Sequence, residues 1–510
     1  MRKTTRVRLL AALLSLLLLA GMLLSSCGAK TPEESFLDLQ KQELSAAAEN
    51  LGTVFSSFNA GQSSDASGRV LGNVTLSFGP TARAFLSASS GNIDLDWLSS
   101  ISLKMDISSK KNLAGGVASL LLGTTEIVGM NLWVDNETRE LRMTIPELSD
   151  TVLSLSQDSL SDSVGSIDQS ALLSALPDAK TIRVLVERYS DLILAEFKTV
   201  TESEEAFTAG EVTKTLKVLR SEMTAGEVAE ILKKVLETIK TDKEIETIIR
   251  DIAALIPEGD TPDEFYAEFL SGLQDAIDSI EVDQDDNEKI IYELLVDGKK
   301  IVGRRLNVSD RELYLYFLEK DGNFGFACRP MVLYDYEKGN GSLDITGSGK
   351  VKDGVYSGSF SLALRDAELL KLELTRYDRK AAEKGKLDFD CTLKPTINLI
   401  QLISDEDVSS LALLTVYSLH MKVLLEEEAF SFYIGLMQGT EEFLGYTVDG
   451  RSEKTAGEIP ELTGPALNIM DEDSMSQYAS GIRFDTILSN LQKAGVPAEL
   501  LSELLGGFMQ

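Results

Sequence analysis

The chain is expected to fold as an α+β protein, with extensive antiparallel sheet, which the order of its elements suggests falls in two related halves, and amphipathic helices packed on one face. Three observations predict it. Long stretches alternate polar and apolar residues, as in Ser102-Leu103-Lys104-Met105-Asp106-Ile107, which is the period of a half-buried strand. Asp297-Gly298 and Asp321-Gly322 stand between stretches of this kind, and Asp-Gly favours the left-handed turn of a two-residue hairpin. Between the strand-rich regions lie three amphipathic segments in succession, two of them opened by capping boxes.

In chain order, Thr31-Pro32-Glu33-Glu34 reads as a capping box with proline in the first helical turn, continued by Phe36, Leu37, Leu44 and Leu51. From about Val70 to Leu155 the alternation of strands takes over, with a turn at Asp135-Asn136-Glu137-Thr138. Ser154 to Ser170, rich in Ser, Asp and Gln, reads as a loop. Thr213 to Val218 is one more strand. Helices then follow through Val228 to Leu236, opened by Thr224-Ala225-Gly226-Glu227, through Ile245 to Leu255, and from Thr261-Pro262-Asp263-Glu264 through Ile277. Such helices need a shared apolar surface, most economically the inner face of a sheet.

Sheet resumes after the acidic turn Asp283 to Glu288. Strands are expected at Ile290 to Val296, Lys299 to Val308, Arg311 to Phe317, Phe324 to Leu333, Ser342 to Leu374, Lys386 to Leu393, Leu411 to Leu425, Phe430 to Leu436 and Glu442 to Val448. Gly347, Gly349, Gly354 and Gly358 fall between strands, where they twist or bulge a hairpin; a phosphate loop would set them between a strand and a helix. Helices around Phe484 to Leu491 and Ala498 to Leu505 close the chain. The expected division is a signal over residues 1–26, an anchor and helix over 27–69, a first sheet-plus-helix half over 70–285 and a second half over 286–510.

The first eight residues carry four cations and no acid, and Leu9 to Leu24 is almost wholly apolar, which is the pattern of a secretory signal. The apolar run is shorter than the roughly 20 residues of a spanning helix. It ends in Leu24-Ser25-Ser26-Cys27-Gly28, which resembles the lipobox of bacterial lipoproteins. That resemblance implies that Cys27 receives a diacylglyceryl group and acyl chains such as palmitate, and that the signal is cut before it. Two or more chains on one residue anchor stably where one binds only marginally. The expected place is the outer face of the bacterial cytoplasmic membrane, with the membrane itself as partner through Cys27.

Cleavage leaves 484 of the 510 residues and 45 cations against 81 acids, a net charge of −36. Such a charge speaks against nucleic acid as a partner, because phosphates must be neutralised by Lys and Arg. It also repels anionic headgroups, so the acyl chains must hold the protein to its membrane.

Little of the chain points to catalysis. The single histidine, His420, lies in an alternating strand, which nearly excludes histidine-based triads and most zinc sites. Cys328 and Cys391 lack C-x-x-C spacing; in an exported protein they either pair or stand as two buried thiols. Asp283, Asp285 and Asn287 match the start of a calcium loop, but Glu288 replaces its glycine and Leu294 its bidentate glutamate. Asp471-Glu472-Asp473 reads as the acidic first turn of a helix. A glycosidase needs two facing carboxylates, but with only Trp97 and Trp133 the chain is poor in the aromatic platforms that bind sugars. No catalytic residue, metal ligand or cofactor is expected.

The lipobox, the strands Met143-Thr144-Ile145-Pro146-Glu147-Leu148 and Val152-Leu153-Ser154-Leu155, and the hairpin Gly349-Lys350-Val351-Lys352-Asp353-Gly354-Val355-Tyr356-Ser357-Gly358 together resemble large lipoproteins of Gram-positive gut bacteria. That resemblance implies surface exposure and no assigned activity. More remotely, sheet enclosing helices is similar to the lipoprotein-carrier fold of cell envelopes, whose concave apolar face receives acyl chains. The expected role is therefore non-catalytic: binding of a ligand, lipid or envelope partner. The alternatives are an adhesion scaffold without a pocket and a carboxylate-based hydrolase. A lipid ligand would be covered or lined by the helices of residues 225–280.

Overall fold

A computed structural model describes residues 31–45, 67–91, 93–156, 177–254, 261–280, 288–309, 311–333, 341–403 and 411–502. Cys27, the acidic turn at 283–287 and residues 157–170 of the Ser-rich segment lie outside them. Among the described residues are twenty strands in a mostly antiparallel arrangement, with helices between them. The fold class is α+β, as expected.

The strands are β1 (Gly68–Phe78), β2 (Ser100–Lys110), β3 (Leu113–Leu122), β4 (Thr125–Asp135), β5 (Glu140–Ile145), β6 (Ser149–Ser156), β7 (Val200–Ala209) and β8 (Val212–Thr224). After three helices come β9 (Lys289–Asp297), β10 (Lys300–Val308), β11 (Arg311–Lys320), β12 (Asn323–Leu333), β13 (Gly341–Lys352), β14 (Val355–Leu364) and β15 (Ala367–Asp378). The last are β16 (Leu387–Pro395), β17 (Tyr417–Leu425), β18 (Ala429–Gln438), β19 (Glu441–Glu453) and the short β20 (Ala466–Asn468). The turn between β11 and β12 shows why Asp-Gly is there: Asp321 and Gly322 take φ of 52° and 74°, the left-handed pair that a tight hairpin requires.

Three capping boxes form as the sequence implies. Thr31 N donates to Glu34 Oε2 at 3.1 Å while Glu34 N donates to Thr31 Oγ1 at 3.2 Å. The same reciprocal pairs open the helices Ala225–Thr241 and Pro262–Asp278. Asp471 caps Glu472–Ser480, its carboxylate accepting from Ser474 N at 2.8 Å.

Other elements depart from expectation. A helix, Pro80–Ser89, interrupts the first strand region, with its proline in the first helical turn. The helix Ala179–Leu194 and strand β7 were not visible in the sequence pattern. β7 carries three glutamates and buries only Val200, Phe207 and Ala209, so its composition is that of a loop. Leu411–Val416 is a 3₁₀ helix leading into β17 rather than the start of that strand.

Contacts divide the chain into two compact units. Of the described residues, the first takes those from 31 to 45, from 177 to 349 and from 362 to 367, and the second those from 67 to 156, from 350 to 361 and from 368 to 502. A cut between residues 285 and 286 does not separate them, because β1 pairs with β19 as well as with β2. Sequence-distant strands thereby share one body.

In the first unit, β7 to β12 run as an antiparallel meander. The meander rolls back on itself, since β11 and β12 also pack against β7 and β8. Phe207, Leu216, Val218, Leu295, Leu318 and Ala327 fill the inside. Gly325 marks the closest approach: a Cβ there would lie 1.9 Å from the Ala209 carbonyl oxygen.

The opposite face is covered by the helix at residues 32–45. Phe36, 0% exposed, joins Leu219, Tyr292, Leu294 and Val296 there, with its ring edge-on to Tyr292 at 5.9 Å. Burying one such ring contributes roughly 2–3 kcal/mol. The three helices of residues 225–278 supply no residue to either buried cluster of this sheet. Ala225–Thr241 and Lys243–Ala253 pack instead on Pro262–Asp278, which corrects the expectation that they cover the sheet.

The second unit is a longer meander, β15-β16-β17-β18-β19-β1-β2-β3-β4-β5-β6, closed by parallel pairing of β20 with β6. The C-terminal helices cover one corner of it, where Val496 and Leu501 pack with Leu122, Ile127 and Trp97.

Candidate functional site

Cross-strand partners in an antiparallel sheet point to the same side, so the register of the second unit determines the composition of each face. Phe389, Val423, Phe432, Val448, Val74, Leu103 and Leu120 stand side by side across seven strands, from β16 to β3. The parallel row from Cys391 to Leu122 contains Met421, Ile434, Tyr446, Leu76 and Ile101, and the row from Leu387 to Ala118 contains Leu425, Phe430, Gly450, Gly72 and Met105. None of these positions carries a charge.

The fold buries the ends of this face, at Cys391, Ala118 and Leu122, and leaves its middle partly exposed. Leu103 and Tyr446 are 40% exposed and Phe430 is 45% exposed, while Val74, Val423, Phe432 and Val448 are half-buried by their own neighbours. Six gaps of about 4.8 Å make the face about 29 Å wide, and rows about 6.8 Å apart give it an area on the order of 500 Å². Soluble monomers rarely expose contiguous apolar area beyond a few hundred Å² without a function for it.

The other side of the same strands is polar, with Asp390, Lys422, Tyr433, Thr447, Thr75 and Ser102 in register. An open depression of about 580 Å³ crosses β19, β1, β2 and β3 there, lined by Asn73, Lys104, Asp106, Ser119, Asp449 and Arg451 among others. Its two acids are engaged. Arg69 Nε donates to Asp106 Oδ1 at 2.6 Å and holds that carboxyl below the usual range, and Ser431 Oγ donates to Asp449 Oδ1 at 2.7 Å. A general acid needs its pKa raised toward neutrality, and Asp106 is shifted the other way.

His420 lies on this polar side, its Nε2 2.9 Å from Asp390 Oδ1 and its ring edge-on to Tyr433 at 5.6 Å. Asp390 Oδ2 is in turn 3.5 Å from Lys422 Nζ. The arrangement is a cross-strand cluster of one hydrogen bond and one ion pair on Asp390, of the kind that stabilises neighbouring strands.

No family model matches this chain, and no curated protein or solved structure is similar to it. The geometry of the faces is therefore the ground on which a function can be argued.

The remaining residues singled out in the sequence are dispersed. Cys328 on β12 and Cys391 on β16 are both free thiols, the latter buried on the apolar face. Leu294 is 0% exposed in the core of the first unit, so its position could not serve an acidic loop. Trp133 lies beneath the Arg142 guanidinium at 5.5 Å. Among the described residues no group of three or more His, Cys, Asp or Glu is placed to hold a metal ion. The depression along Ala225–Thr241 is lined by Glu230, Lys233, Lys234, Glu237, Thr238 and Thr241, so it offers a charged surface where an apolar pocket was expected.

Sequence reasoning found the alternating strands but missed the apolar face. Its signal is present in each strand, as in Ile101, Leu103, Met105 and Ile107 against Ser102, Lys104, Asp106 and Ser108. The alignment of those signals depends on register.

Proposed function

We propose that this chain is a lipid-anchored protein of the outer face of the cytoplasmic membrane whose second unit binds an amphiphile, without catalysis, by laying its acyl chains along the apolar sheet face. The observation that supports this reading is the uncharged row from Phe389 to Leu120 across seven strands, half-buried over five of them and exposed at Leu103 and Leu120. Each CH₂ moved from water onto such a face contributes up to about 0.8 kcal/mol. A chain of a dozen carbons thus has enough gross binding energy to offset its ordering cost. The two acids of the polar depression are each held by a neighbour, Asp106 by Arg69 and Asp449 by Ser431, so that depression does not offer a free facing pair of carboxyls.

Native mass spectrometry of the chain from Gly28 to Gln510, purified without detergent, tests the reading. A reproducible added mass of a lipid or fatty acid is expected, absent from Leu103→Glu. A clean apo mass that stays unchanged after incubation with palmitate and phosphatidylglycerol would overturn it.

A further inference from the structure

On the polar side of the second unit's sheet, the open depression of about 580 Å³ across β19, β1, β2 and β3 holds charges of both signs. Register sorts them into two rows. In the first, Arg451, Leu71, Asp106 and Val117 stand side by side. Its charges close on one another through a chain of ion pairs. Arg451 Nε lies 3.7 Å from Glu453 Oε1, Glu453 Oε2 lies 3.6 Å from Arg69 Nη1, and Arg69 Nε donates to Asp106 Oδ1 at 2.6 Å.

The second row, Asp449, Asn73, Lys104 and Ser119, is left open. Asp449 accepts from the neutral hydroxyl of Ser431 at 2.7 Å, and Lys104 is exposed. Among the described residues neither of the two forms an ion pair. Strand β1 stands between them and sets their backbones about 9.6 Å apart. Asn73, in the middle, has its Oδ1 shielded from water and without a hydrogen-bond partner, an acceptor that costs stability until a donor meets it.

Opposite charges held apart over an unmet acceptor suit a zwitterion. A ligand whose ammonium and carboxylate lie about 3 Å apart, with a charge-assisted hydrogen bond of about 2.8 Å at either end, spans about 8.6 Å. That length matches the gap, and the ammonium is a donor of the kind Asn73 lacks. A ligand with net charge fits less well: an anion meets Asp449 and Asp106 on a mature chain of net charge −36, and a cation meets Lys104 and Arg451. The neighbouring row offers an apolar surface beside the charges, with Leu71 half-buried and Val117 41% exposed.

We infer that this depression binds a free α-amino acid with an aliphatic side chain, its ammonium on Asp449 and Asn73, its carboxylate on Lys104 and its side chain against Leu71 and Val117. The site lies on the opposite side of the sheet from the apolar rows and does not depend on the amphiphile reading.

Isothermal titration calorimetry of the chain from Gly28 to Gln510 with L-leucine tests the site. Saturable binding is expected, weakened about tenfold or more in Lys104→Gln and in Asp449→Asn. Lys422→Gln, which removes a cation from the same side of the sheet outside the depression, should bind as the wild type does. 4-Methylpentanoate and 3-methylbutylamine, which keep the side chain and one charge each, are expected to bind about tenfold or more weakly than leucine. Glycine, which keeps both charges without the side chain, should also lose about tenfold. Melting midpoints equal to that of the wild type show that the variants fold; where one does not, the ligand series on the wild-type protein carries the test by itself. No saturable heat with L-leucine, equal binding by the wild type and both variants, or equal binding of the one-charge analogues overturns the inference.

Discussion

Glu43, on the helix at residues 32–45, and Arg304, on β10, form an ion pair inside the first unit, their side chains 5% and 11% exposed. The Tyr292 hydroxyl accepts from Arg304 Nε at 2.9 Å and donates to Gln40 Oε1 at 3.3 Å, so the helix is tied to the sheet by polar contacts beneath Phe36. Burial pushes the Glu43 carboxyl up to about 7, against the attraction of Arg304.

A carboxyl raised in the folded state binds a proton there that the unfolded chain has already lost. Stability from this group is therefore full below about pH 4.5 and declines as pH rises through about 7, by up to about 3 kcal/mol. Glu43→Gln, which keeps a hydrogen-bond acceptor for Arg304, should flatten the melting temperature between pH 5 and pH 7. An unchanged slope would show that Glu43 is ionised throughout. Glu43→Ala, which strands the Arg304 charge, should cost about 3–5 kcal/mol.

Asp242 should show the opposite dependence. It caps Lys243–Ala253, and its carboxylate accepts from Tyr189 at 2.8 Å and from Arg188. Burial alone would raise its pKa, but these donors hold it down at about 2. Its contribution is present above about pH 4 and lost as pH falls toward 2. Helical circular dichroism followed from pH 4 to pH 2 should show a transition that is blunted in Asp242→Asn.

Gly325→Ala is expected to destabilise the first unit by about 3 kcal/mol, because the new methyl group would meet the Ala209 carbonyl and force β12 away from β7. Gly298→Ala, with φ of 63° and open space around it, should cost only about 1 kcal/mol. Denaturant midpoints of the two variants measure the contrast. Equal effects would mean that the sheet does not roll as described.

Cys328 and Cys391 should remain thiols. Burial raises both above the usual thiol range, so alkylation of the native protein at pH 7.5 should be slow, and Cys391, 0% exposed, the slower of the two. Unfolding without reductant should expose two reactive thiols in the chain from Gly28 onward. A mass two protons lower would reveal a disulfide.

Cys27→Ala in the full chain, expressed in a lipoprotein-processing bacterium, should abolish incorporation of labelled palmitate and leave the signal uncut by lipoprotein processing. Labelling that persists would dismiss the lipobox reading.

Local chemistry made much of this protein legible from its sequence. The capping threonines Thr31, Thr224 and Thr261, the Asp321-Gly322 turn and the alternation within β2 act over a few residues, and each forms as the spacing implies; at Asp297-Gly298 the turn falls one residue on, at Gly298-Lys299, with Asp297 still paired to Lys300 in the strand. β7 stayed hidden because three glutamates gave it the composition of a loop, and it is a strand only because β8 pairs with it.

The candidate site was not legible, for a related reason. Alternation shows that Leu103 and Lys104 face opposite ways, but not which residues of β1 and β3 stand beside them. Placing Val74 next to Val448 requires pairing residues more than three hundred positions apart. The sequence alone established the class of fold, the caps and the turns. Only the tertiary structure decided that seven apolar stripes fall into one register and that the three central helices pack on one another. Pairing and packing are contacts between distant residues, and no local pattern encodes them.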